Sequence, residues 1–412
     1  MNFRFVYVCS ILALFFSGCK EETRQEQIST SFATEIIPSP TGINSSLPYL
    51  FSNGNQTLMS WVEKEGDSLT KLKYSNWEDG KWQSAHEIVQ GTDWFVNWAD
   101  FPMIAEHKGN LWSHVLKKST TGTYSYDVKM NVLQSGSDTW KTNLSLHTDG
   151  TPTEHGFVTV VPYKDAFFVN WLDGRNTVEN SEGERGAMTI RAAEVAADGS
   201  ITKDTQLDAK TCDCCQTTAA ITANGPVVLY RDRSDDEIRD IYIVRQVKGE
   251  WTKPKAMHAD GWKIKGCPVN GPKAAAIGNT LAVAWFTEAH KKPRVQLTFS
   301  TDGGANFQVP IQIATGKVLG RVDVFLIDSD AAVVSWMEIE DKKELLKAVL
   351  KTVKVSQKGK LSAIHNVATL DASRKTGFPQ MERVGNQILF AWTDVSKSRS
   401  EVKTASVPLQ KF

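Results

Sequence analysis

One pattern decides what this chain can become. An apolar run ends in an aromatic residue, with a polar side chain two places on: Trp61/Glu63, Trp112/His114, Trp171/Asp173, Tyr230/Asp232, Trp285/Thr287, Trp336/Glu338 and Trp392/Asp394. Successive aromatics stand 51, 59, 59, 55, 51 and 56 residues apart. A unit that short cannot bury its own apolar face, so the copies must bury it against one another. Each copy reads as four short strands: an opening segment (FPMIA from 101, CPVNG from 267, FPQME from 378), the aromatic strand (TLAVAWF, 280–286), an alternating third strand (RVQLTFS, 294–300) and a fourth. Turn signals separate them at Trp77-Glu78-Asp79-Gly80, Asp198-Gly199, Lys248-Gly249 and Lys358-Gly359. The expected fold is all-β: a single β-propeller of seven four-stranded blades over residues 31–412, with six blades as the alternative if one copy is irregular.

The seventh copy runs out of chain. After Trp392 only EVKTASVPL (401–409) is strand-like. Residues 31–37, SFATEII, precede the first copy and are expected to supply the missing outer strand, closing the ring and removing an exposed edge.

The first residues read as an address. Arg4 is followed by the apolar run FVYVCSILALFF (5–16), too short to span a bilayer. Phe16-Ser17-Gly18-Cys19 resembles a bacterial lipobox, which implies removal of residues 1–18 and lipidation of Cys19. Lys20-Glu21-Glu22 resembles the export signal of surface-exposed lipoproteins, and no Asp follows Cys19 as an inner-membrane retention signal would require. Residues 19–30 are polar and read as a tether. The expected location is the outer membrane or cell surface, with the membrane as partner through the lipid. With 47 basic against 47 acidic residues and no basic run, a nucleic-acid partner is excluded.

Ser300-Thr301-Asp302-Gly303-Gly304-Ala305-Asn306-Phe307 resembles the Asp-box of the sialidase superfamily, with Asn-Phe in place of the final Thr-Trp. Ser300, Asp302 and Gly304 are its matching positions. The resemblance implies a sialidase-like propeller of Asp-box repeats, a mark of fold and not of activity. Sialidase chemistry further implies an arginine triad, an early F-R-I-P segment, an Asp acid/base and a Tyr–Glu nucleophile pair. The first blade here opens on Ser46-Leu47-Pro48-Tyr49, without an arginine. Arg231 and Arg321, with Asp232, are the candidate catalytic residues if the chain is a hydrolase; a third convergent arginine is not evident.

Cys212, Cys214 and Cys215 lie in TCDCCQTT at the start of the fourth blade, and Cys267 opens the fifth. Equivalent starts of neighbouring inner strands place all four near the axis on one rim. The ends of the aromatic strands reach the same rim, bringing Asp173, Glu338 and Asp394, and His155 joins them at the start of the third blade. Three readings stay open for the thiols. Oxidising surroundings and an even count favour disulfides, at least one being expected. Thiolates with His155 would suit copper or zinc, although C-x-C-C departs from the C-x-x-C spacing of structural zinc. A redox or nucleophilic cysteine is the third. The charged run from Tyr230 to Asp240 is expected to form an Arg–Asp ladder that stiffens the neighbouring loop. Trp94, Phe95 and Trp98 read as packed core, with a ligand wall as the alternative. The leading functional expectation is a binder of a ligand or soft metal at the cysteine rim, its partner a glycan or a protein. The competing one is an exo-acting glycoside hydrolase on extracellular glycans.

Overall fold

The structure, a computed structural model, describes residues 1, 33–179, 182–340, 347–396 and 399–412. Most of the leader 1–18 and the tether 19–30, with Cys19, lie outside the described residues. Among the described residues the regular elements are strands and four short 3-10 turns, and no helix is long and apolar enough to cross a membrane.

Seven antiparallel sheets follow one another around an axis, so the fold is a seven-bladed propeller. From the axis outward, blade 1 comprises Ser45–Ser52, Thr57–Glu65, Leu69–Glu78 and His86–Gly91. Blade 3 comprises His155–Tyr163, Ala166–Asp173, Thr189–Val195 and Ile201–Asp208. Blade 4 has its inner strands at Thr218–Thr222 and Gly225–Arg231, and blade 5 at Lys273–Ile277 and Thr280–Thr287. The ring closes where the sequence suggested. Glu35–Ile37 pairs with Arg399–Pro408 as the outer strand of blade 7, in the register Glu35↔Ser406 to Ile37↔Thr404.

The inner strands of blades 2, 5 and 7 begin at Ile104, Lys273 and Gln380, later than the opening segments suggested. Pro102, Pro268 and Pro379 explain the delay, because a proline brings no N–H to a ladder. In blades 1, 3 and 6 the inner strand carries a bulge near its start, where the register shifts between Ser46 and Tyr49, Gly156 and Thr159, and Gly320 and Asp323. Leu47, Phe157 and Arg321 sit in these bulges at φ of 56°, 51° and 52°. Such angles are strained for bulky residues, and the strain gathers on one rim.

The repeated aromatic is core. Trp61, Trp112, Trp171, Trp285 and Trp336 are fully buried. In blades 1, 3 and 6 the polar residue two places on caps the indole, because positions i and i+2 of a strand share a face, whereas the buried Trp112 Nε1 of blade 2 has no hydrogen-bond partner. Trp61 Nε1 donates to Glu63 at 2.8 Å, Trp171 to Asp173 at 2.8 Å and Trp336 to Glu338 at 3.3 Å. In blade 5 the second residue is Thr287, and Trp285 turns instead to Asp260 at 2.7 Å. In the turn after Ser300, Asp302 accepts from the Asn306 backbone N–H at 2.9 Å and Ser300 Oγ accepts from Gly304 N at 2.9 Å. Gly304 has φ of 81°, and a Cβ there would meet Ile243 Cδ1 at 2.7 Å, so only glycine fits.

Candidate functional site

The rim where inner strands begin and aromatic strands end collects most of the chemistry. At blade 4, Cys212 N donates to Arg231 O at 3.0 Å, and Thr211 bridges Asp232, which pins the cysteine turn to the end of the second strand. That turn folds Cys212, Cys214 and Cys215 inward. Cys212 Sγ lies 3.9 Å from Cys214 Sγ and 3.5 Å from Cys215 Sγ, and all three sulfurs fall within 4.8 Å of one another. Cys267 arrives from the start of blade 5 with its thiol against that of Cys214. No two of the four sulfurs are joined in this structure, so the disulfide expected from the sequence is not formed there; Cys212 and Cys215 are buried and Cys267 is exposed. Cys212 and Cys215 are themselves three apart, so a C-x-x-C pair is embedded in the motif.

A ladder of charge backs the turn. Arg239 Nη1 donates to Cys212 Sγ at 3.1 Å and Nη2 to Glu237 at 2.8 Å. Glu237 also receives Arg233, at 2.8 Å, and Arg233 reaches Asp213 at 3.1 Å. The ladder is thus Arg–Glu–Arg–Asp, centred on Glu237. Hydrogen bonds from Cys214 and Cys215 hold the Cys212 thiol well below its ordinary pKa, with Arg239 adding to the effect. Burial pushes Cys215 the other way. Two thiols, Cys212 and Cys267, are thus held low, and two, Cys214 and Cys215, are pushed up.

His155 does not join the sulfurs, contrary to expectation. Its Nε2 instead faces Asp149 Oδ2 at 3.4 Å and Asp173 Oδ1 at 3.7 Å, and its ring stacks on His147 at 3.9 Å. Strand alternation is the reason: the side chain of Glu154, one residue earlier, is the one that senses Cys212 and Asp213. Burial pushes the Glu154 carboxyl up to about 7, and its Oε1 accepts from Tyr126 OH at 2.6 Å. Glu154 is the rim residue that sequence reasoning missed, and Arg239 was read there only as one member of the charged run. Only the strand register could have shown the first.

The other rim candidates are occupied structurally. Asp173 and Glu338 cap indoles and also hold Arg175, at 2.7 Å, and Lys351, at 3.0 Å. Asp394 stands opposite Glu401 in blade 7. Arg231 is buried and donates to the carbonyls of Asn270, Arg239 and Phe286 at 2.5–3.1 Å, with its guanidinium 4.8 Å from the Trp262 ring. Arg321 likewise donates to Gly377 O and Ser373 O, 5.2 Å from the Trp98 ring. Both arginines are buried and spend most of their donors on backbone carbonyls that join blades. Asp232 is pushed up to about 7 by burial, with Asp208 adding its charge. Phe95 stacks on Tyr126 at 4.2 Å and Trp98 on Phe378 at 5.8 Å, so these aromatics are packed, although Trp98 also borders a cleft of about 520 Å³ with Lys64, Lys375 and Arg399.

Below the rim, inner strands of all seven blades surround an axial cavity of about 230 Å³. Tyr49, Lys273, Asp323 and Glu382 line it. Glu382 is half-buried at the cavity wall, and burial, reinforced by Asp323, pushes its carboxyl up to about 8. The folded chain therefore keeps a proton that the unfolded chain has released from about pH 4.5 upward. Its contribution is complete below that window and declines as pH rises through it. Glu382→Gln is expected to flatten the decline by up to about 1 kcal/mol per pH unit, read from urea unfolding across the window. A mutant curve parallel to wild type would contradict this.

No protein-family model and no curated protein matches the chain. Among solved structures it is similar to the NanB sialidase of Streptococcus pneumoniae, at 12% identity over 93% of this chain and 70% of that one, with a TM-score of 0.46. It is also similar to the α-L-arabinofuranosidase Arb93A of Fusarium graminearum, at 12% over 93% and 99%, with a TM-score of 0.45. A protein of unknown function from Dyadobacter fermentans is similar at 10% over 92% and 98%, with a TM-score of 0.50. At such identities the likeness is one of fold only.

Proposed function

We propose that the chain binds a soft metal ion, copper(I) or zinc, at the cysteine-bearing rim of a propeller held outside the cytoplasm by a lipid on Cys19. The observation that carries this reading is the convergence of Cys212, Cys214 and Cys215 with every sulfur pair within 4.8 Å. Four thiolates at about 2.3 Å around a tetrahedral zinc ion stand roughly 3.8 Å apart, close to the spacings of 3.5 and 3.9 Å between these sulfurs. Cys267, whose thiol meets that of Cys214 at the edge of the three-sulfur cluster, would swing in as the fourth ligand, and Arg239 offsets the negative charge that several thiolates would gather. The anchor rests on Phe16-Ser17-Gly18-Cys19.

Protein purified without chelators decides the matter by elemental analysis and thiol titration under denaturing conditions. The expected result is four reactive body thiols and about one copper or zinc ion per chain, lost in Cys212→Ser. Two or no thiols, and no metal, would make the cluster a disulfide staple. A second reading, a glycoside hydrolase, rests on Asp323 and Glu382 both lining the axial cavity, because a pair of carboxyls is what acid–base hydrolysis uses. Cleavage of a fluorogenic glycoside that is abolished by Glu382→Gln would favour it.

A further inference from the structure

We propose that Asp149, His155 and Asp173 form a second and separate site, for a divalent cation of borderline character such as zinc or manganese. The three converge where blades 2 and 3 meet: Asp149 from the connection between them, His155 from the start of an inner strand, and Asp173 from the end of the next. His155 is fully buried. Its Nδ1 donates to Thr153 O at 3.3 Å, so in the neutral ring the lone pair lies on Nε2, which has no hydrogen-bond partner. That lone pair faces Asp149 Oδ2 at 3.4 Å and Asp173 Oδ1 at 3.7 Å, and the three atoms lie within 4.8 Å of one another. With a neutral His155, three acceptors face one another here, His155 and Asp173 buried and Asp149 half-buried, and a bound cation would relieve their repulsion.

The surroundings fit a metal site. A ligating histidine commonly gives its other N–H to a backbone carbonyl, as His155 does to Thr153. The carboxylates are held from behind. Asp149 Oδ1 accepts from Thr151 N at 3.0 Å, and Asp173 Oδ2 accepts from Trp171 Nε1 at 2.8 Å. His147 is a positioning residue: its Nδ1 donates to Asp149 at 2.8 Å and its Nε2 accepts from Val128 N at 3.2 Å. One imidazole and two carboxylates suit zinc or manganese, whereas copper(I) prefers the thiols. Arg175 is the competitor. It donates to Asp173 Oδ1 and Oδ2, each at 2.7 Å, and sits 3.7 Å from Asp149, on a short turn with its side chain 23% exposed. A cation that takes Asp173 Oδ1 must push Arg175 toward solvent.

The competition gives the test its sign. A variant with Cys212, Cys214, Cys215 and Cys267 all changed to serine removes the thiol site, so this proposal and the first can fail separately. Titrated calorimetrically with zinc and manganese after chelation, that variant is expected to bind one ion per chain. If it does not fold, manganese titration of the wild-type chain answers the same question, because thiolates hold manganese weakly. His155→Gln and Asp149→Asn should each weaken binding by roughly tenfold or more. Arg175→Ala should tighten it several-fold, an effect that loss of a merely structural ion pair would not produce. No ion bound, or binding indifferent to His155→Gln, would overturn the proposal. So would a doubly protonated His155 ring by NMR together with no ion bound in Arg175→Ala.

Discussion

Arg231→Met is expected to cost the fold about 3–5 kcal/mol, in the range for a buried charged group that leaves several partners unpaired. Arg231 is 1% exposed, and its guanidinium serves three carbonyls from three segments: Asn270 before blade 5, Arg239 in the charged loop and Phe286 in the second strand of blade 5. Methionine fills the volume but leaves those oxygens without donors in a site that water does not reach. Arg231→Lys should rescue little, because one ammonium cannot match a planar fork that reaches three directions. Urea unfolding of the two variants checks this. If Arg231 were instead a substrate arginine, both variants would keep wild-type stability and lose only ligand binding.

The repeat was legible because a propeller writes the same physical demand seven times. Every blade must present an aromatic to its neighbour, and in several blades the indole N–H buried there takes a nearby acceptor. The second residue of Trp61/Glu63 or Trp171/Asp173 is that acceptor. The same pairs explain why the rim was over-read. A carboxylate two places after tryptophan looks like a site in the sequence and proves to be a cap in space. Closure by the first strand was also legible, because the seventh copy visibly lacked a segment.

What stayed hidden depends on which way single side chains face. His155 and Glu154 are adjacent in sequence, and a shift of one residue exchanges them between the thiol cluster and the histidine–aspartate cluster. The bulge between Gly156 and Thr159 makes that register harder to count. Arg231 and Arg321 carry the same charge whether they greet a substrate or tie carbonyls together, and only burial tells the two apart. The cysteine turn was found by composition alone. Its internal C-x-x-C went unread because Cys214 interrupts the pair.

Deleting residues 33–38 should remove the ring's closure and lower stability by roughly 3–5 kcal/mol, from the lost burial of one isoleucine and a few ladder and side-chain hydrogen bonds. Ile37 is 8% exposed and packs in the core between blades 7 and 1, in one cluster with Leu50, Trp61 and Val402, and its carbonyl accepts from Thr404 Oγ1 at 3.0 Å. Thr34 Oγ1 adds a contact of 2.9 Å with His365 of blade 6, so the strand ties two blades at once. Its loss also uncovers the edge of Arg399–Pro408, a ten-residue strand whose backbone groups would then be open to any other strand. Association should therefore accompany the loss of stability, because an uncovered edge is a template for pairing. Denaturant unfolding reads the first effect and size-exclusion chromatography the second. A shortened chain that unfolds at the wild-type midpoint and stays at its original size would mean that the outer strand of blade 7 does not hold the ring. A synthetic peptide spanning residues 33–38 separates the two causes. If the edge is the defect, the added peptide should occupy it, restore part of the lost stability and suppress association together.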